Sequence, residues 1–523
     1  MTVPEPTPTT PGNKAALREL ALVVFVFAAL WWIPYLHPVM EDYRYWDRID
    51  ASPLLRAVTL TPPPKAQAAA GPPHLTAASG SGDKLSEADE QRAIAALDET
   101  VTVKEPAVPP PSTDTRKVNA LPAAATSASA ASLPKSATQS SIAALHISDA
   151  TVGALKAKIE GAQALRPFWR ALVALAEDPK RLVRIRHYGD SHLANDGISL
   201  VLRTLLQRRF GDGGHGFSAA SARTKWYRRK GVKWSSNDAW KTKTYLGGGQ
   251  SDRAYGYGGV VSLGRAGAQV RLQTTKAGVG SRVNRLALYW RGVAKGQLSV
   301  QIDGKREQLA LSSDGQDHHK VWRLPDGPHK VKLRVVKGRV KLYGVGFERD
   351  HGLIYDSLGV TGARARRWLK VDGAHLNAQY KQRPVELIVI NYGGNSRGDR
   401  ITGAKYRKSF GEVIDLLRGD SRPACLVLSP TDHGVRKRGK VISDPKTIRL
   451  VKWQRQVAKE RGCAFLDGRA LMGGYGAMGR WVKRGLGWGD YSHLTAKGQR
   501  RLGRDIYGAL MQGLREHLRS ERP

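Results

Sequence analysis

The chain has 523 residues, which is too long for one domain of ordinary size, so two or more folded units are expected. Its 84 lysines and arginines outnumber 45 aspartates and glutamates, and the formal charge of +39 favours anionic partners such as nucleic acid, anionic envelope polymers or anionic lipid. Only two cysteines are present, which excludes a disulfide-rich scaffold and a cysteine-ligated metal protein. Nucleic acid is disfavoured, because the cations are spread over the whole folded part and no zinc-finger, ribonucleoprotein or leucine-zipper pattern is present.

The N-terminal segment indicates the cellular compartment of the protein. Residues 20–36 carry no charge, and Lys14 and Arg18 precede them. Counted from Ala15, the stretch is long enough to cross a hydrocarbon core of about 30 Å with its basic flank on the inside. A cleaved signal peptide is the main alternative, but no close small-residue cleavage site follows. We therefore expect a cytoplasmic N-terminus over 1–14 and a transmembrane signal anchor over 15–36.

The next segment, residues 37–145, is predicted to be a linker. It is rich in proline, alanine and serine and cannot bury enough apolar surface to offset the entropy of ordering. One short helix is predicted inside it, at Glu87 to Leu97. From Val152 to Leu175 the pattern becomes helical, with a break expected at Pro167.

A strand, a polar turn and a helix come next. Residues 181–186 alternate apolar and basic side chains, which predicts a strand, and the turn 187–192 (His-Tyr-Gly-Asp-Ser-His) follows it. Apolar residues at helical spacing, from Leu200 to Leu206, then predict an amphipathic helix. Ser191 would present its backbone N–H at the start of that helix, where an oxyanion is stabilised. Helix capping by Asp190 and Ser191 is the structural alternative.

Residues 217–350 have a different pattern. Short runs with a period of two are separated by turn signals such as Asp303-Gly304, which predicts an antiparallel, carbohydrate-binding-like β-sandwich inserted into an α/β domain. The runs are Val270–Gln273, Leu286–Trp290, Leu298–Ile302, His329–Val335 and Val340–Val345. Four aromatic residues, Trp226, Tyr227, Trp234 and Trp240, stand at its start, and either sugar stacking or core packing would explain them.

The α/β pattern resumes after residue 350. A loop is predicted over Asp356–Ala363, and the apolar run Val385–Asn391 predicts a buried parallel strand. Cys425 and Cys463 lie in two further apolar runs, which we interpret as successive parallel strands. Both thiols would be buried, and a bridge between them is possible only in an oxidising compartment. The last helix is predicted from Thr495 to about Leu514.

Three polar residues of these segments suit nucleophilic catalysis. A serine hydroxyl needs a neighbouring base to take its proton, and a histidine such as His493 is suited to this because its ordinary pKa lies near 6.5. Asp490, three residues earlier, can accept a hydrogen bond from the other ring nitrogen. Ser191 is the candidate nucleophile. A helix-capping pair is the alternative for Asp490 and His493, and a solvated neighbour is the alternative for His192.

An oxyanion hole is expected beside the nucleophile. Asn395 follows a predicted parallel strand, at the edge of the sheet where α/β folds place their ligands. Its side-chain N–H would join the backbone N–H groups of Ser191 and of Gly362 or Gly359, although a turn-forming role is an alternative for Asn395. No cofactor is implied, and metal binding is disfavoured because histidines and cysteines do not cluster at ligand spacing.

The motifs occur in the order of the four signature blocks of the SGNH/GDSL hydrolase family, which residues 150–520 therefore resemble. The blocks are Gly189-Asp190-Ser191-His192, the later glycine, Gly393-Gly394-Asn395 and Asp490-x-x-His493. The run 208–217 and a β-sandwich between the first two blocks resemble the bacterial peptidoglycan O-acetylesterase branch. The resemblance implies Ser191 as nucleophile, His493 as base and Asp490 as its orienting group. It assigns the oxyanion hole to Ser191, Gly362 and Asn395.

Strands and helices alternate on both sides of a purely β stretch, so we expect a flavodoxin-like three-layer α/β/α domain over 146–216 and 351–520, with a jelly-roll-like β domain over 217–350. The expected activity is a serine esterase that deacetylates an envelope polysaccharide, peptidoglycan first, from a bacterial inner membrane anchor with the catalytic domain outside the cytoplasm. An O-acetyltransferase using the same residues and a non-catalytic wall-binding protein are the alternatives. Many relatives have glutamate after the third-block asparagine, where Ser396 stands here, so further substrate contacts stay open.

Overall fold

A computed structural model describes residue 145 and residues 147–221, 227, 229–247, 249–293 and 295–521. The predicted cytoplasmic segment, membrane anchor, linker helix and Trp226 lie outside these ranges, as does all of the linker except residue 145. Within the ranges, no helix combines the length and the apolar character that crossing a membrane requires.

A five-stranded parallel sheet forms the centre of the α/β part. Its strands are β1 (Leu182–Gly189), β12 (Gly352–Gly359), β13 (Leu387–Asn391), β14 (Ala424–Leu428) and β17 (Ala464–Leu466). They lie in the order β12-β1-β13-β14-β17, which is the flavodoxin-like order. Alternate strand residues point to opposite faces, so Val389 joins one apolar core and its neighbour Ile388 joins another.

Helices cover both faces of this sheet and give three layers. Those described are α1 (Asp149–Val152), α2 (Arg166–Glu177), α3 (Ser191–Ala194), α4 (Gly197–Phe210), α5 (Gly373–Gln382), α6 (Gly403–Arg418), α7 (Pro445–Glu460), α8 (Gly468–Leu471), α9 (Ala477–Lys483) and α10 (Ala496–Ser520), with 3-10 turns at Ala162–Leu165 and Ala365–Lys370. Helices α2, α4 and α10 pack into the first core, and α5, α6 and α7 pack into the second.

The strands between the first two strands of the central sheet are antiparallel. They are β2 (Gly216–Ser218), β3 (Val232–Ser236), β4 (Trp240–Thr244), β5 (Val260–Arg265), β6 (Gln269–Thr274), β7 (Val283–Arg291), β8 (Gly296–Ile302), β9 (Lys305–Leu311), β10 (Asp317–Gly327) and β11 (Lys330–Glu348). A third apolar core lies among them. A separate hairpin, β15 (Gly434–Lys437) with β16 (Lys440–Ser443), precedes α7.

Strand β11 differs from its prediction. The two strands predicted at His329–Val335 and Val340–Val345 are one strand of 19 residues. Its first part pairs with β6 and β8, and its second part pairs with β5 and β7. A register shift after Val335 and a positive φ of 73° at Gly338 let the strand turn from one sheet into the other without losing its pairing.

Four other local predictions are wrong. Pro167 stands in the first turn of α2 and does not break it, because a proline there removes no intrahelical hydrogen bond. The turn predicted at 187–192 starts only at Asp190, since the three residues before it belong to β1. The loop predicted at 356–363 is strand as far as Gly359. Helix α4 is buried on nearly every face rather than amphipathic, because the segment leading into the antiparallel strands also packs on it.

Buried charges join the two sheet systems. Glu348, at the end of β11, accepts a hydrogen bond from Arg184 of β1 at 3.1 Å and also binds Arg285 and Arg383. Arg383 in turn binds Asp356 of β12 at 2.7 Å. Burial favours the neutral carboxyl group, but the three guanidinium groups, Arg383 foremost, outweigh it and lower the pKa of Glu348 to about 2. Arg184, one of the basic residues of the predicted strand 181–186, therefore serves an internal junction.

The two cysteines form a disulfide. Cys425 of β14 and Cys463, directly before β17, have their Cα atoms 4.7 Å apart and are bonded to each other. Strands β14 and β17 are parallel neighbours, as the apolar runs predicted. The bridge therefore ties the edge strand of the central sheet to its neighbour.

Candidate active site

The nucleophile candidate lies where the central strand ends. Ser191 is the first residue of α3, and Asp190 caps that helix by accepting the N–H of His192 at 3.1 Å. The end of β12 lies so close to this turn that a Cβ atom on Gly359 would be 2.4 Å from the backbone nitrogen of Ala194. Only glycine fits at that position. The first N–H groups of a helix have no intrahelical acceptor, so the Ser191 N–H is a donor that the helix itself does not use.

A short closed loop carries the other two residues of the predicted triad. Gly487 and Leu494 form an antiparallel bridge, and the N–H of Trp488 donates to the carbonyl of His493 at 2.9 Å. Tyr491 adopts a positive φ of 53°, which turns the chain sharply inside the loop. These contacts hold His493 in place directly before α10.

The structure brings the predicted triad together. The Oγ of Ser191 is 3.3 Å from Nε2 of His493, and Nδ1 of His493 is 2.6 Å from a carboxylate oxygen of Asp490. Donation from Nδ1 to the carboxylate leaves Nε2 as the acceptor for the serine hydroxyl proton. The side chains of His493 and Asp490 are 50% and 48% exposed, so the site is open to solvent.

Asp490 is held as an anion. Partial burial opposes its ionisation, but hydrogen bonds from the His493 ring and from the backbone N–H groups of His493 and Ser492 outweigh it and hold the pKa of Asp490 well below its ordinary value. The N–H contacts measure 3.0 and 2.9 Å. A permanent negative charge on Asp490 stabilises the imidazolium that forms when His493 takes a proton.

The predicted oxyanion residues lie on two adjacent loops. One N–H of the Asn395 side chain donates to the carbonyl of Ala363 at 3.2 Å, and the guanidinium of Arg364 donates to the Asn395 carbonyl at 3.0 Å. Gly362, next to Ala363, is exposed with a φ of 77°, in the region that favours glycine. These contacts place Asn395 beside the Gly362 turn, and the second side-chain N–H of Asn395 is the one that an oxyanion would use.

His192 belongs to this site and is not the solvated neighbour that the sequence left as an alternative. Its side chain is only 13% exposed, and its ring stacks on that of His493 with centroids 5.6 Å apart. One nitrogen contacts Asp190 at 3.3 Å, and the other contacts the carbonyl of Ser492 at 3.2 Å. Burial lowers the pKa of His192, but Asp190 and the Ser492 carbonyl outweigh burial and raise it above its ordinary value. The motif position after Ser191 was the only available signal.

A small cavity borders Asp190 and His192. Its volume is about 10 Å³, and Asp190, His192, Asn391 and Thr431 contribute to its wall. That volume holds about one water molecule. In the part of the chain that the structure covers, no group of three or more histidine, cysteine, aspartate or glutamate side chains is arranged to hold a metal ion.

Comparison with known proteins agrees with this geometry. Residues 338–501 match the model of the GDSL-like lipase/acylhydrolase family. The match contains Gly362, Asn395, Asp490 and His493, whereas Ser191 comes from the segment before the antiparallel strands. This part of the chain is therefore similar to GDSL-like lipases and acylhydrolases.

The branch that it resembles is that of the peptidoglycan O-acetylesterases. A solved peptidoglycan O-acetylesterase has a TM-score of 0.58 at 23% identity, covering 69% of this chain and 99% of that chain. A family two carbohydrate esterase from Cellvibrio japonicus has a TM-score of 0.23 at 11% identity, covering 54% of this chain and 98% of its own. No curated protein matches the sequence.

Proposed function

We propose that the protein removes acetyl groups from an O-acetylated envelope polysaccharide, peptidoglycan first, through an acyl-enzyme on Ser191. The observation that carries the proposal is the contact of Ser191 Oγ with His493 Nε2 at 3.3 Å in a site open to solvent. An open site admits a bulky alcohol such as a sugar of a polymer.

The reaction runs in two steps. His493 takes the proton of the Ser191 hydroxyl as Oγ bonds to the acetyl carbonyl carbon, and the oxyanion accepts hydrogen bonds from Ser191 N–H, Gly362 N–H and Asn395. The carbon–oxygen bond to the sugar then breaks, and His493 returns the proton to the leaving sugar oxygen. In the second step His493 takes a proton from a water molecule as the water oxygen bonds to the acyl carbon. The bond between that carbon and Ser191 Oγ then breaks, His493 returns the proton to Oγ, and acetate leaves. A sugar hydroxyl in place of water would make the same enzyme an O-acetyltransferase.

The proposal is tested on the full chain with 4-nitrophenyl acetate and with O-acetylated peptidoglycan. We expect acetate release from the polymer, and Ser191→Ala should lower kcat by at least about 10³-fold. The matched control is Ser409→Ala, whose hydroxyl only bonds a carbonyl of its own helix α6 and whose loss should leave kcat unchanged. Equal turnover by the wild type and Ser191→Ala would refute the proposal. Acetate transfer to an added sugar, exceeding its release to water, would favour the transferase.

We also propose that residues 15–36 anchor the protein in a bacterial inner membrane, with the catalytic domain in the periplasm or outside the cell. The proline-rich and alanine-rich linker, roughly 90 residues in its most biased part, would give a reach of about 50 Å from the membrane toward the wall. The basic surface would hold anionic wall polymer or lipid. A reporter that works only outside the cytoplasm, fused after Pro523, should be active, and its inactivity would refute the orientation.

A further inference from the structure

A groove lies on the antiparallel strands, apart from the triad. Its volume is about 760 Å³, and it is lined by β3, β6, the first part of β11 and the turn after β8. Among the lining side chains are five cations, Lys233, Arg271, Lys276, Lys330 and Lys332. We call it the basic groove. None of its residues takes part in the proposed ester chemistry.

The strand register places its charges side by side. One row of outward positions runs across β3, β6, β11, β8 and β9, namely Ser235, Arg271, Lys332, Gln301 and Arg306. Arg271 and Lys332 are direct partners across β6 and β11, which are strands about 4.8 Å apart. Like charges directly opposite one another destabilise a sheet. The protein therefore keeps a pair that costs stability, and an anionic ligand would remove that cost.

Three of the groove cations have no ion-pair partner in the described ranges. Arg271, Lys330 and Lys332 form no ion pair with any residue in the described ranges, although Lys330 uses its backbone N–H to bind Asp303. Asp303 supplies the carboxylate among the lining residues, and that carboxylate is hydrogen-bonded to Nδ1 of His329 at 2.5 Å. The charge of the groove is thus available to a ligand.

The neutral side chains indicate which polyanion fits. Ser235, Gln273 and Gln301 stand between the cations and can both donate and accept hydrogen bonds, as sugar hydroxyl groups also do. Trp234 is among the lining residues, but it is paired with the buried Leu272 and packs on the apolar core. The outward positions of β3, β6, β8 and the first part of β11 carry no aromatic residue, whereas single-stranded nucleic acids are held by stacking on aromatic rings. The composition suits a glycan that carries carboxylates better than it suits nucleic acid.

We propose that the basic groove binds a carboxylate-bearing polysaccharide, with Arg271 and Lys332 as its principal anion contacts. This second site would hold the polymer while the triad acts on its esters. The binding itself does not depend on the proposed esterase function.

The test measures binding of the full chain to polygalacturonate, with dextran as a neutral glycan and polyuridylate as a nucleic acid. The variant Arg271→Gln/Lys332→Gln should bind polygalacturonate at least tenfold more weakly, and its melting temperature should be equal or higher because the opposed charges are gone. The matched control Lys241→Gln/Lys295→Gln removes the same charge from exposed positions outside the groove and should stay within threefold of wild type. Dextran should bind at least tenfold more weakly than polygalacturonate.

Three results would overturn the proposal. They are an equal loss of affinity in both double variants, no loss in the groove variant, and tighter groove-dependent binding of polyuridylate than of polygalacturonate. Turnover of 4-nitrophenyl acetate should be the same in all these proteins. If the wild type binds polygalacturonate through the groove but hydrolyses no acetyl ester, the proposed function fails and the groove proposal stands.

Discussion

Replacement of Glu348 by glutamine tests the buried junction between the two sheet systems. A folded pKa of about 2, against about 4.3 in an unfolded chain, corresponds to roughly 3 kcal/mol of stability at neutral pH. Glutamine also leaves three guanidinium groups partly uncompensated, and breaking a buried pair in this way typically costs about 3–5 kcal/mol. We expect Glu348→Gln to lower the free energy of unfolding by that amount at pH 7, measured by urea denaturation.

The pH dependence of the stability difference between wild type and Glu348→Gln is a stricter test than its value at pH 7. The carboxylate has a depressed folded pKa, so its contribution is complete above the unfolded value and is lost as pH falls from about 5 toward about 2. The glutamine variant lacks this titration, so the gap in stability between wild type and variant should narrow over that interval. The control Asp178→Asn removes an exposed partner of Arg181 and should cost less than about 1 kcal/mol. A gap below 1 kcal/mol at pH 7, or one that stays constant down to pH 3, would refute the reasoning.

Two further predictions concern the disulfide and the stacked histidine. Cys425→Ala/Cys463→Ala opens a loop with a sequence separation of 38 and should cost about 4 kcal/mol of unfolding free energy, and a reductant should shift the urea midpoint of the wild type but not of the variant. Equal midpoints under oxidising conditions would contradict this. His192→Ala should lower kcat on 4-nitrophenyl acetate by about 10–100-fold with little change in KM, as removal of a supporting hydrogen-bond partner does in comparable sites. His192→Gln, which keeps one donor, should recover part of the loss, and an unchanged kcat in His192→Ala would exclude a positioning role.

The chemistry-bearing residues were predictable because they stand where regular elements end. Ser191 follows an alternating strand, and Asp490 and His493 directly precede a strongly periodic helix, so topology alone brings them to one edge of the sheet. The contact of His192 with His493 was not predictable. It depends on how two loops from distant parts of the chain pack, and a histidine beside a nucleophile has no pattern that distinguishes a buried ring from a solvated one.

The errors in the fold have a common cause. Arg184 and Asp356 lie on buried strands because their charges are compensated across the junction by Glu348 and Arg383, and such pairing between distant residues leaves no local signal in the sequence. Periodicity therefore indicated a strand around Arg184 without its buried charge pairing, and it indicated a loop at Asp356. The sequence also failed to show that β11 is one continuous strand. A glycine such as Gly338 usually indicates a turn, but here pairing with two sheets keeps the strand intact.

The split of the catalytic domain has a consequence for the order of events during synthesis. Strand β1 and helix α4 leave the ribosome before β12, their partner on the far side of the antiparallel strands, has been translated. The intervening strands are contiguous in sequence and can fold first. Until β12 is made, β1 keeps apolar residues exposed, and exposed apolar residues of a nascent chain are bound by chaperones. Ser191 is made before the antiparallel strands, and His493 is made after them. A nascent chain that has not yet reached residue 493 therefore has the candidate nucleophile but lacks the candidate base.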